Sequence, residues 1–302
     1  IGLGSASGIS LAEARDLAHA CRNLKAKGID PKAQRAEERA AARRAGQIIS
    51  RAVDRVDELL VEEKGRNDLV SDIDRNAEAV IIETIQKAYP DHSILAEETG
   101  LHDADGEFRW VIDPLDGTTN FLYGIPHHCT SIAITQGNVV LHGITVDHLR
   151  NEEFTASRGE GAYLNGRRIR VTGSTSLSTS IMASGIPWHA LKRHAPAYQA
   201  MYREFIGVTR GVRQMGSAAL DLAYVAAGRI DGCFEIGLQE WDTAAGSILV
   251  REAGGFVGDI AGGDRFSETG NIVAANPRIF REMLRSIRAV VKTSNDPDLA
   301  LG

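Results

Sequence analysis

The segment WVIDPLDGTTNF, residues 110–121, constrains the fold and the chemistry of this chain more than any other. An apolar strand runs into Asp113 and Asp116, and Pro114 between them makes a rigid turn that directs both carboxylates to one point. The following residues, GTTN, are typical of a helix start, whose unpaired backbone amides attract anions. Carboxylates beside an anion site predict Mg²⁺ between them and a phosphate, because hard oxygen ligands suit that ion.

Two further acidic segments lie where an apolar run ends. Glu97 and Glu98 close the run SILAEE, and Asp242 lies in WDTAAG before small and apolar residues. DPLDGT alone also fits an ordinary turn, in which Asp and Gly serve the backbone. Three segments of the same kind favour a shared carboxylate site over three unrelated turns.

These segments resemble, in order, the three signatures of the inositol monophosphatase family. The matching stretches are AEE at 96–98, WVIDPLDGTTNF at 110–121 and WDTAAGSILVREAGG at 241–255. NDLVSDID at 67–74, GSAALDLAYVAAGRIDG at 216–232 and FEIG at 234–237 are similar too. The resemblance covers about residues 38–290, is closest to the bacterial branch, and implies a Mg²⁺-dependent phosphate monoester hydrolase acting on inositol 1-phosphate.

The resemblance implies a set of metal ligands: Glu97, Asp113, the Leu115 carbonyl, Asp116 and Asp242. In this scheme Asp113 bridges two Mg²⁺ ions, and a third, weaker ion can lie near Glu97. Mn²⁺ can substitute for Mg²⁺, and Li⁺ is expected to inhibit by occupying the site of Asp116 and Asp242.

The resemblance also implies the catalytic set, which is Thr118, Asp74, Glu97 and Asp113. Thr118, partnered by Asp74, would orient the attacking water. Asp74 also fits a second interpretation, because S-x-I-D before a helical run is an ordinary capping pattern.

Phosphate and substrate contacts are implied for Asp116, Gly117, Thr118, Gly216, Ser217, Ala218, Glu235 and Asp242. The amides of Gly117 and Thr118 match a phosphate cradle, and residues 216–218 match a wall beside a polyol. Glu235 matches a carboxylate that accepts hydrogen bonds from ring hydroxyls; the alternative for it is a strand end at the surface.

Four other polar residues lie outside this set of ligands and contacts. Lys64 fits either a charge on the phosphate side or a solvated helix end. Glu98 should point away from Glu97, because neighbouring side chains of a strand alternate. His127 and His128 are predicted to pack or to lie at the surface, since an oxygen-ligand Mg²⁺ site does not need them.

Two alternative functions stay open at this point. A phosphatase of the same fold could act on histidinol phosphate, fructose 1,6-bisphosphate or a 3′-phosphoadenosine nucleotide with the same metal site. A regulatory protein could instead use the phosphatase fold as a binding platform, because a fold does not fix a function. The presence of every expected metal carboxylate favours an enzyme.

Composition agrees with a globular enzyme. The 302 residues are 43% hydrophobic and 25% charged, and the net charge of −6 without a basic stripe makes nucleic acid an unlikely partner. Cys21, Cys129 and Cys233 are too few and too widely spaced for a disulfide framework or a zinc site. Without a long apolar run or a signal peptide, the prediction is a cytoplasmic protein with no membrane partner. The resemblance implies a homodimer that binds a small phosphorylated polyol.

The predicted fold is α+β, a layered αβαβα sandwich of two closely packed lobes. Residues 1–35 form an N-terminal extension with an amphipathic helix from Ser10, 36–172 an α+β lobe with the metal and phosphate site, and 173–302 an α/β lobe that completes the active site. Helices are predicted at 36–63, 74–88, 217–227, 242–253 and 277–291. Strands are predicted at 93–96, 108–112, 129–135, 139–147, 152–157, 168–172, 180–184, 212–215, 231–235, 256–258 and 271–275, with an Asn-Gly hairpin turn at 165–166.

Overall fold

The structure is a computed structural model that describes residues 31–52, 61–65 and 68–294. The helix predicted from Ser10 and the thiol of Cys21 lie outside these residues. The other two cysteines, Cys129 and Cys233, are free and buried.

The helices are α1 (Pro31–Ala52), α2 (Asp72–Ala88), α3 (Thr118–Leu122), α4 (Trp188–Val208), α5 (Ala218–Ala226), α6 (Glu240–Glu252), α7 (Phe266–Thr269) and α8 (Pro277–Ser294). The strands are β1 (Val61–Gly65), β2 (Asp68–Ser71), β3 (Ser93–Ala96), β4 (Gly100–His102), β5 (Phe108–Asp116), β6 (Cys129–Gln136), β7 (Val139–Asp147), β8 (Glu152–Ser157), β9 (Gly161–Leu164), β10 (Arg167–Arg168), β11 (Ile181–Gly185), β12 (Gly211–Arg213), β13 (Gly232–Glu235), β14 (Phe256–Gly258) and β15 (Ile272–Ala275). A 3₁₀ turn covers Leu177–Thr179.

Two main sheets follow one another along the chain. The first has eight strands in the order β10-β9-β8-β7-β6-β5-β3-β4, and the second has five in the order β12-β11-β13-β15-β14. In the first sheet only the β3–β5 pair is parallel, and in the second β11 lies parallel to β12 and β13. A separate hairpin pairs β1 with β2.

Helices cover both faces of both sheets. The pair α1 and α2 packs on one face of the first sheet, and α5 and α6 lie between the two sheets. The outer face of the second sheet carries α4 and α8. These five layers, helix-sheet-helix-sheet-helix, confirm the predicted α+β sandwich, because each amphipathic element must bury its apolar side against another layer.

The hydrophobic core follows the layers. Trp110, Ile112 and Ile132 of the first sheet are buried against α1 and α2. Leu220 and Leu249 fill the helical layer between the sheets, and Phe205 of α4 packs on Phe234 of β13. The predicted limits of the two lobes at residues 36, 172 and 173 stay a prediction, although the two sheets fall on either side of residue 173.

The structure corrects several predicted elements. Residues 61–63 belong to a strand, not to a helix that runs to residue 63, because they pair with β2. The strand predicted at 168–172 is only Arg167–Arg168, and its partner β9 was missed, although the hairpin turn is present with Asn165 at φ 48° and Gly166 at φ 76°. The helix α4, 21 residues long, was not predicted.

No helix among the described residues is long and apolar enough to cross a membrane.

Candidate active site

A cavity of about 560 Å³ lies between the two lobes. The residues that line it include Glu97, Asp113, Leu115, Asp116, Gly117, Thr118, Gly216, Ser217, Ala218, Glu235 and Asp242. The structure thus brings together, around one space, all the site residues predicted from the sequence except Asp74, which reaches the cavity through Thr118.

The turn at residues 113–116 interrupts the pairing of β5 with β6, because the register shifts between Asp113 and Asp116. Asp113 is buried, and its Oδ1 accepts a hydrogen bond of 3.0 Å from the Leu115 amide. The Thr130 hydroxyl donates to the Pro114 carbonyl at 2.8 Å and holds the turn from the neighbouring strand. Such irregular positions are common beside active sites because they redirect side chains out of the sheet.

Gly117 requires a glycine. Its φ of 93° is in the left-handed region, and an added Cβ would lie 3.0 Å from the His127 carbonyl oxygen and 3.2 Å from that of Gly216. The short helix α3 starts at the next residue, so the amides of its first turn are not used by the helix itself. The backbone of both lobes therefore closes around this turn.

The hydroxyl of Thr118 lies between Asp74 and Leu115. Its Oγ1 is 2.8 Å from Asp74 Oδ1 and 3.0 Å from the Leu115 carbonyl oxygen. The other oxygen of Asp74 accepts hydrogen bonds from the amide (2.9 Å) and the hydroxyl (2.5 Å) of Ser71. The capping interpretation of Asp74 is confirmed, since it belongs to the capping box at the start of α2, and its catalytic role stays a prediction that the hydrogen bond to Thr118 allows.

The second lobe fixes Asp116. Its Oδ2 accepts hydrogen bonds from the Ser217 hydroxyl at 2.6 Å and the Ala219 amide at 2.8 Å, both at the start of α5. Asp242 is the third residue of α6, and its Oδ2 accepts a bond of 2.7 Å from the Gln239 amide. Each carboxylate is thus oriented by a helix start, where backbone donors are available.

The carboxylates of the cavity repel one another. Burial raises the pKa of Asp113 well above its usual value, and Glu97, Asp116 and Asp242 raise it further. Burial also raises the pKa of Asp242 well above its usual value, with Asp116 adding to the shift, and raises the pKa of Asp116 despite its hydrogen bonds. Removing so many acids from water is unfavourable unless a cation or a proton neutralises them.

The donor set fits a hard divalent cation. Among the residues that the structure describes, no group of three or more His, Cys, Asp or Glu side chains is placed so that it could hold a metal ion without rearranging. The fit rests on the chemistry of the donors, which are four carboxylates and one carbonyl oxygen around one cavity. Oxygen ligands of this kind are those that Mg²⁺ and Mn²⁺ prefer.

Glu235 is the last residue of β13 and is buried, so its interpretation as a strand end at the surface is wrong. Its carboxylate lies over Gly185, where an added Cβ would be 2.4 Å from Glu235 Oε2. Burial raises the pKa of Glu235 well above its usual value, and Asp221 and Asp116 raise it further. A buried carboxyl group needs hydrogen-bond partners, so a ligand with hydrogen-bond donors is favoured in this cavity.

The other polar residues take different places. Lys64 lies in strand β1, so the helix-end interpretation is wrong. The Glu98 amide donates to Glu78 Oε2 at 2.8 Å, behind the cavity. His127 and His128 are buried and pack against rings, His127 on Tyr224 and His128 on Phe121, which confirms their predicted packing role.

The sequence analysis missed several residues that line the cavity: Trp188, His189, Gln214, Asp221 and Trp241. Trp188 and His189 begin the unpredicted helix α4, and His189 Nε2 is 2.8 Å from the Gly237 carbonyl oxygen, which ties α4 to the loop after β13. Asp221 carried a usable signal, because an acid inside the apolar run AALDLAYVA must have a partner when buried.

The layered fold is shared with solved structures of other bacterial proteins. The extragenic suppressor protein SuhB from Bartonella henselae matches with a TM-score of 0.82 and 42% identity, over 85% of this chain and 98% of that one. An IMPase from Thermotoga maritima matches with a TM-score of 0.78 and 33% identity, over 88% of this chain and all of that one (100%).

The chain belongs to the inositol monophosphatase family, whose model matches residues 32–292. Among named relatives, the Nus factor SuhB of Pseudomonas aeruginosa is 48% identical over 252 residues, which is 82% of this chain and 93% of the relative. The Nus factor SuhB of Escherichia coli K12 is 49% identical over 249 residues, with the same coverage of 82% and 93%.

Proposed function

We propose that this protein is a Mg²⁺-dependent phosphate monoester hydrolase that releases phosphate from a phosphorylated polyol, with inositol 1-phosphate as the best candidate. The observation that carries the proposal is the convergence of Glu97, Asp113, Asp116 and Asp242 on one cavity beside the Gly117 turn. The family membership and the matching IMPase structures support the same chemistry. A cytoplasmic homodimer remains part of this proposal.

Four carboxylates and the Leu115 carbonyl would hold the cations. When bound, Mg²⁺ supplies charge neutralisation and lowers the pKa of water, so that water can attack phosphorus. The Thr118 hydroxyl, which donates to Asp74 or Leu115, would accept a hydrogen bond from a water in the cavity and so orient it. The amides at the Gly117 turn face the phosphate oxygens in this arrangement.

Glu235 and residues 216–218 would recognise the alcohol. The carboxylate accepts hydrogen bonds from ring hydroxyls, and the charge-assisted bonds favour a polyol over a plain alkyl ester. Glu235 is buried at the cavity wall, which strengthens such bonds because little water competes.

A phosphate-release assay tests the proposal. Inositol 1-phosphate, fructose 1,6-bisphosphate, histidinol phosphate and a 3′-phosphoadenosine nucleotide are compared with Mg²⁺, with Mn²⁺ and with excess EDTA. We expect turnover that vanishes in EDTA and is highest for inositol 1-phosphate. Full turnover in EDTA would contradict the metal mechanism, and preference for another ester would correct the substrate.

Li⁺ gives a second measure of the same site. A small hard cation that occupies the site of Asp116 and Asp242 after turnover should retain product phosphate, so inhibition is expected to be uncompetitive or noncompetitive in substrate. The measurement is the rate against Li⁺ up to roughly tens of millimolar, since monovalent ions bind hard sites weakly beside divalent ones. Insensitivity over that range would indicate a different second metal site.

A second function is favoured by the names of the relatives. Proteins 48% and 49% identical to this chain are called Nus factor SuhB, which points to a role in transcription alongside hydrolysis. Complementation of an Escherichia coli strain that lacks SuhB, with wild type and Asp113→Asn, tests it. Complementation by both supports a binding role independent of hydrolysis, and complementation by neither contradicts it.

A further inference from the structure

Asp221 is a buried acid for which the proposed mechanism has no use. It lies in the first turn of α5, is 1% exposed, and has apolar residues on either side in the chain. Burial raises its pKa well above the usual value, and the nearby Asp116 adds to the shift. A carboxyl group in such a place is costly unless a partner satisfies it.

The partner of Asp221 comes from the other lobe. His127 Nε2 lies 3.2 Å from Asp221 Oδ1, and the imidazole is buried, with its edge against the Tyr224 ring at 5.5 Å. Burial lowers the pKa of His127 and raises that of Asp221. The contact is a hydrogen bond whichever of the two carries the proton, so its geometric role does not depend on the protonation state.

The backbone of His127 lies next to the Asp116–Gly117 turn. Its carbonyl accepts a bond of 2.7 Å from Asn120 Nδ2, and the same amide group lies 2.7 Å from the Met215 carbonyl oxygen. An added Cβ on Gly117 would be 3.0 Å from the His127 carbonyl oxygen. A displacement of His127 would therefore reach Gly117 directly.

The helix α5 contacts the Asp116–Gly117 turn and the neighbouring His127 at two points. Its start binds Asp116 through Ser217 and Ala219, and one turn later Asp221 binds His127. The Asp221 amide bonds to the Ser217 carbonyl at 3.0 Å, so the two attachments lie on consecutive turns. Two attachments fix the orientation of Asp116 and Gly117 relative to the helix. A single attachment would allow the turn to rotate about it.

We propose that His127 and Asp221 are positioning residues that hold the Asp116–Gly117 turn against α5 and so maintain the affinity for the divalent cation. This inference rests on the proposed function for the identity of the cation, and it assigns neither residue a contact with metal or substrate. Hydrogen bonds behind a metal ligand typically change metal affinity or activity by about tenfold to a hundredfold when they are removed.

The test compares three variants of the full chain with the wild type. His127→Phe and Asp221→Leu remove the bond while keeping much of the volume, and Asp221→Asn keeps an oxygen and a donor in place. Ser157→Ala is the matched control, because it removes a buried contact of 2.9 Å to another histidine, His142 Nδ1, in the same sheet.

Two readouts are measured. The first is the Mg²⁺ concentration that gives half of the Mg²⁺-dependent rise in Tm, and the second is kcat on p-nitrophenyl phosphate. For His127→Phe and Asp221→Leu we expect the Mg²⁺ concentration at half of the rise in Tm to increase about tenfold or more. The variant with both His127→Phe and Asp221→Leu should need no more Mg²⁺ than the single variants, because both changes remove the same contact. The Mg²⁺ requirement of Asp221→Asn should stay close to that of the wild type.

A lower Tm without a change in Mg²⁺ affinity, as expected for Ser157→Ala, would show that the pair only supports the fold. Equal losses in Asp221→Asn and Asp221→Leu would show that charge matters rather than the bond, and would also overturn the inference. If Asp221→Leu does not fold, His127→Phe against Asp221→Asn makes the same comparison. The Tm readout needs no turnover, so a failed substrate assay leaves this test intact.

Discussion

The two lobes contribute to the cavity through different kinds of local structure. Glu97 follows the end of β3, and Asp113 and Asp116 lie at the irregular end of β5, inside the eight-stranded sheet. The second lobe contributes mainly helix starts, those of α4, α5 and α6, and the end of β13. A strand that is paired on both sides holds the residues at its end rigidly. Residues at a helix start can be substituted without disturbing a sheet.

This difference suggests a division of labour. Under the proposed function, the chemistry that needs fixed charges would belong to the first lobe, and recognition of the alcohol to the second. Asp242 is the exception, because it lies on α6 and is nonetheless a proposed metal ligand. Its carboxylate is held by the capping box of that helix, which gives it the rigidity that the strands give to the others. Substitutions in the first lobe should therefore lower activity on all substrates. Substitutions in the second lobe should lower activity only on some of them.

The largest effect is expected for Asp113→Asn. The variant loses the charge that would bridge two cations, so kcat should fall by a factor on the order of 10³ or more on every substrate. Steady-state kinetics on inositol 1-phosphate and p-nitrophenyl phosphate measures it, with circular dichroism to verify folding. A loss of activity on only one substrate would contradict the expectation that first-lobe substitutions affect every substrate.

Thr118→Val should lower kcat by about a hundredfold on both substrates, within the usual range for a group that moves or orients a proton. The change removes the hydroxyl that bonds to Asp74 and Leu115. Thr135→Val is the control, since it removes a hydroxyl that bonds to the Arg109 carbonyl at 3.2 Å in the same sheet. Restoration of kcat by Thr118→Ser would sharpen the assignment to the hydroxyl.

Glu235→Gln should separate the substrates. It keeps the shape of the side chain and weakens charge-assisted hydrogen bonds, so kcat/KM on inositol 1-phosphate should fall roughly tenfold. Hydrolysis of p-nitrophenyl phosphate, which offers no ring hydroxyls, should be almost unchanged. Equal losses on both substrates would mean that Glu235 supports the metal site or the fold, and would remove the argument for a polyol.

The smallest effect is expected for Trp188→Ala. The ring lines the cavity but is 39% exposed, so it contributes only part of the burial of a full aromatic side chain. We expect KM for inositol 1-phosphate to rise about threefold with kcat unchanged, and Trp188→Phe to retain the wild-type KM. A fall in kcat without a change in KM would place the start of α4 in the chemistry rather than in recognition.

The acids of the first lobe were easier to bring together from the sequence than those of the second. The strands β7 and β8 were predicted with the observed bounds, because apolar runs and turn residues delimit them clearly. The acids of the first lobe stand at the ends of β3 and β5, two neighbouring strands, so their meeting in space follows from local structure. Asp242 and Glu235 come from a distant part of the chain, and only the family resemblance joined them to the site.

The missed elements have physical reasons. Helix α4 carries Pro196 in its interior and starts after Pro187, and both residues weaken a helix pattern in the sequence. The spacing of apolar residues beyond Ala52 continues a helical pattern, but Val61–Gly65 pairs with Asp68–Ser71, so strand pairing decides that segment. The bond between His127 and Asp221 joins residues 94 positions apart, a separation that periodicity cannot detect.

The order of the site residues along the chain has a consequence for synthesis on the ribosome. Glu97, Asp113 and Asp116 emerge first, well before Ser217, Ala219 and Asp242. A nascent chain that stops before α5 lacks the donors that hold Asp116, and without α6 it lacks the last carboxylate. Lobes generally fold in the order in which they are made. The proposed hydrolysis should therefore begin only after α6 has been synthesised, and products that end before α6 should leave phosphate esters intact.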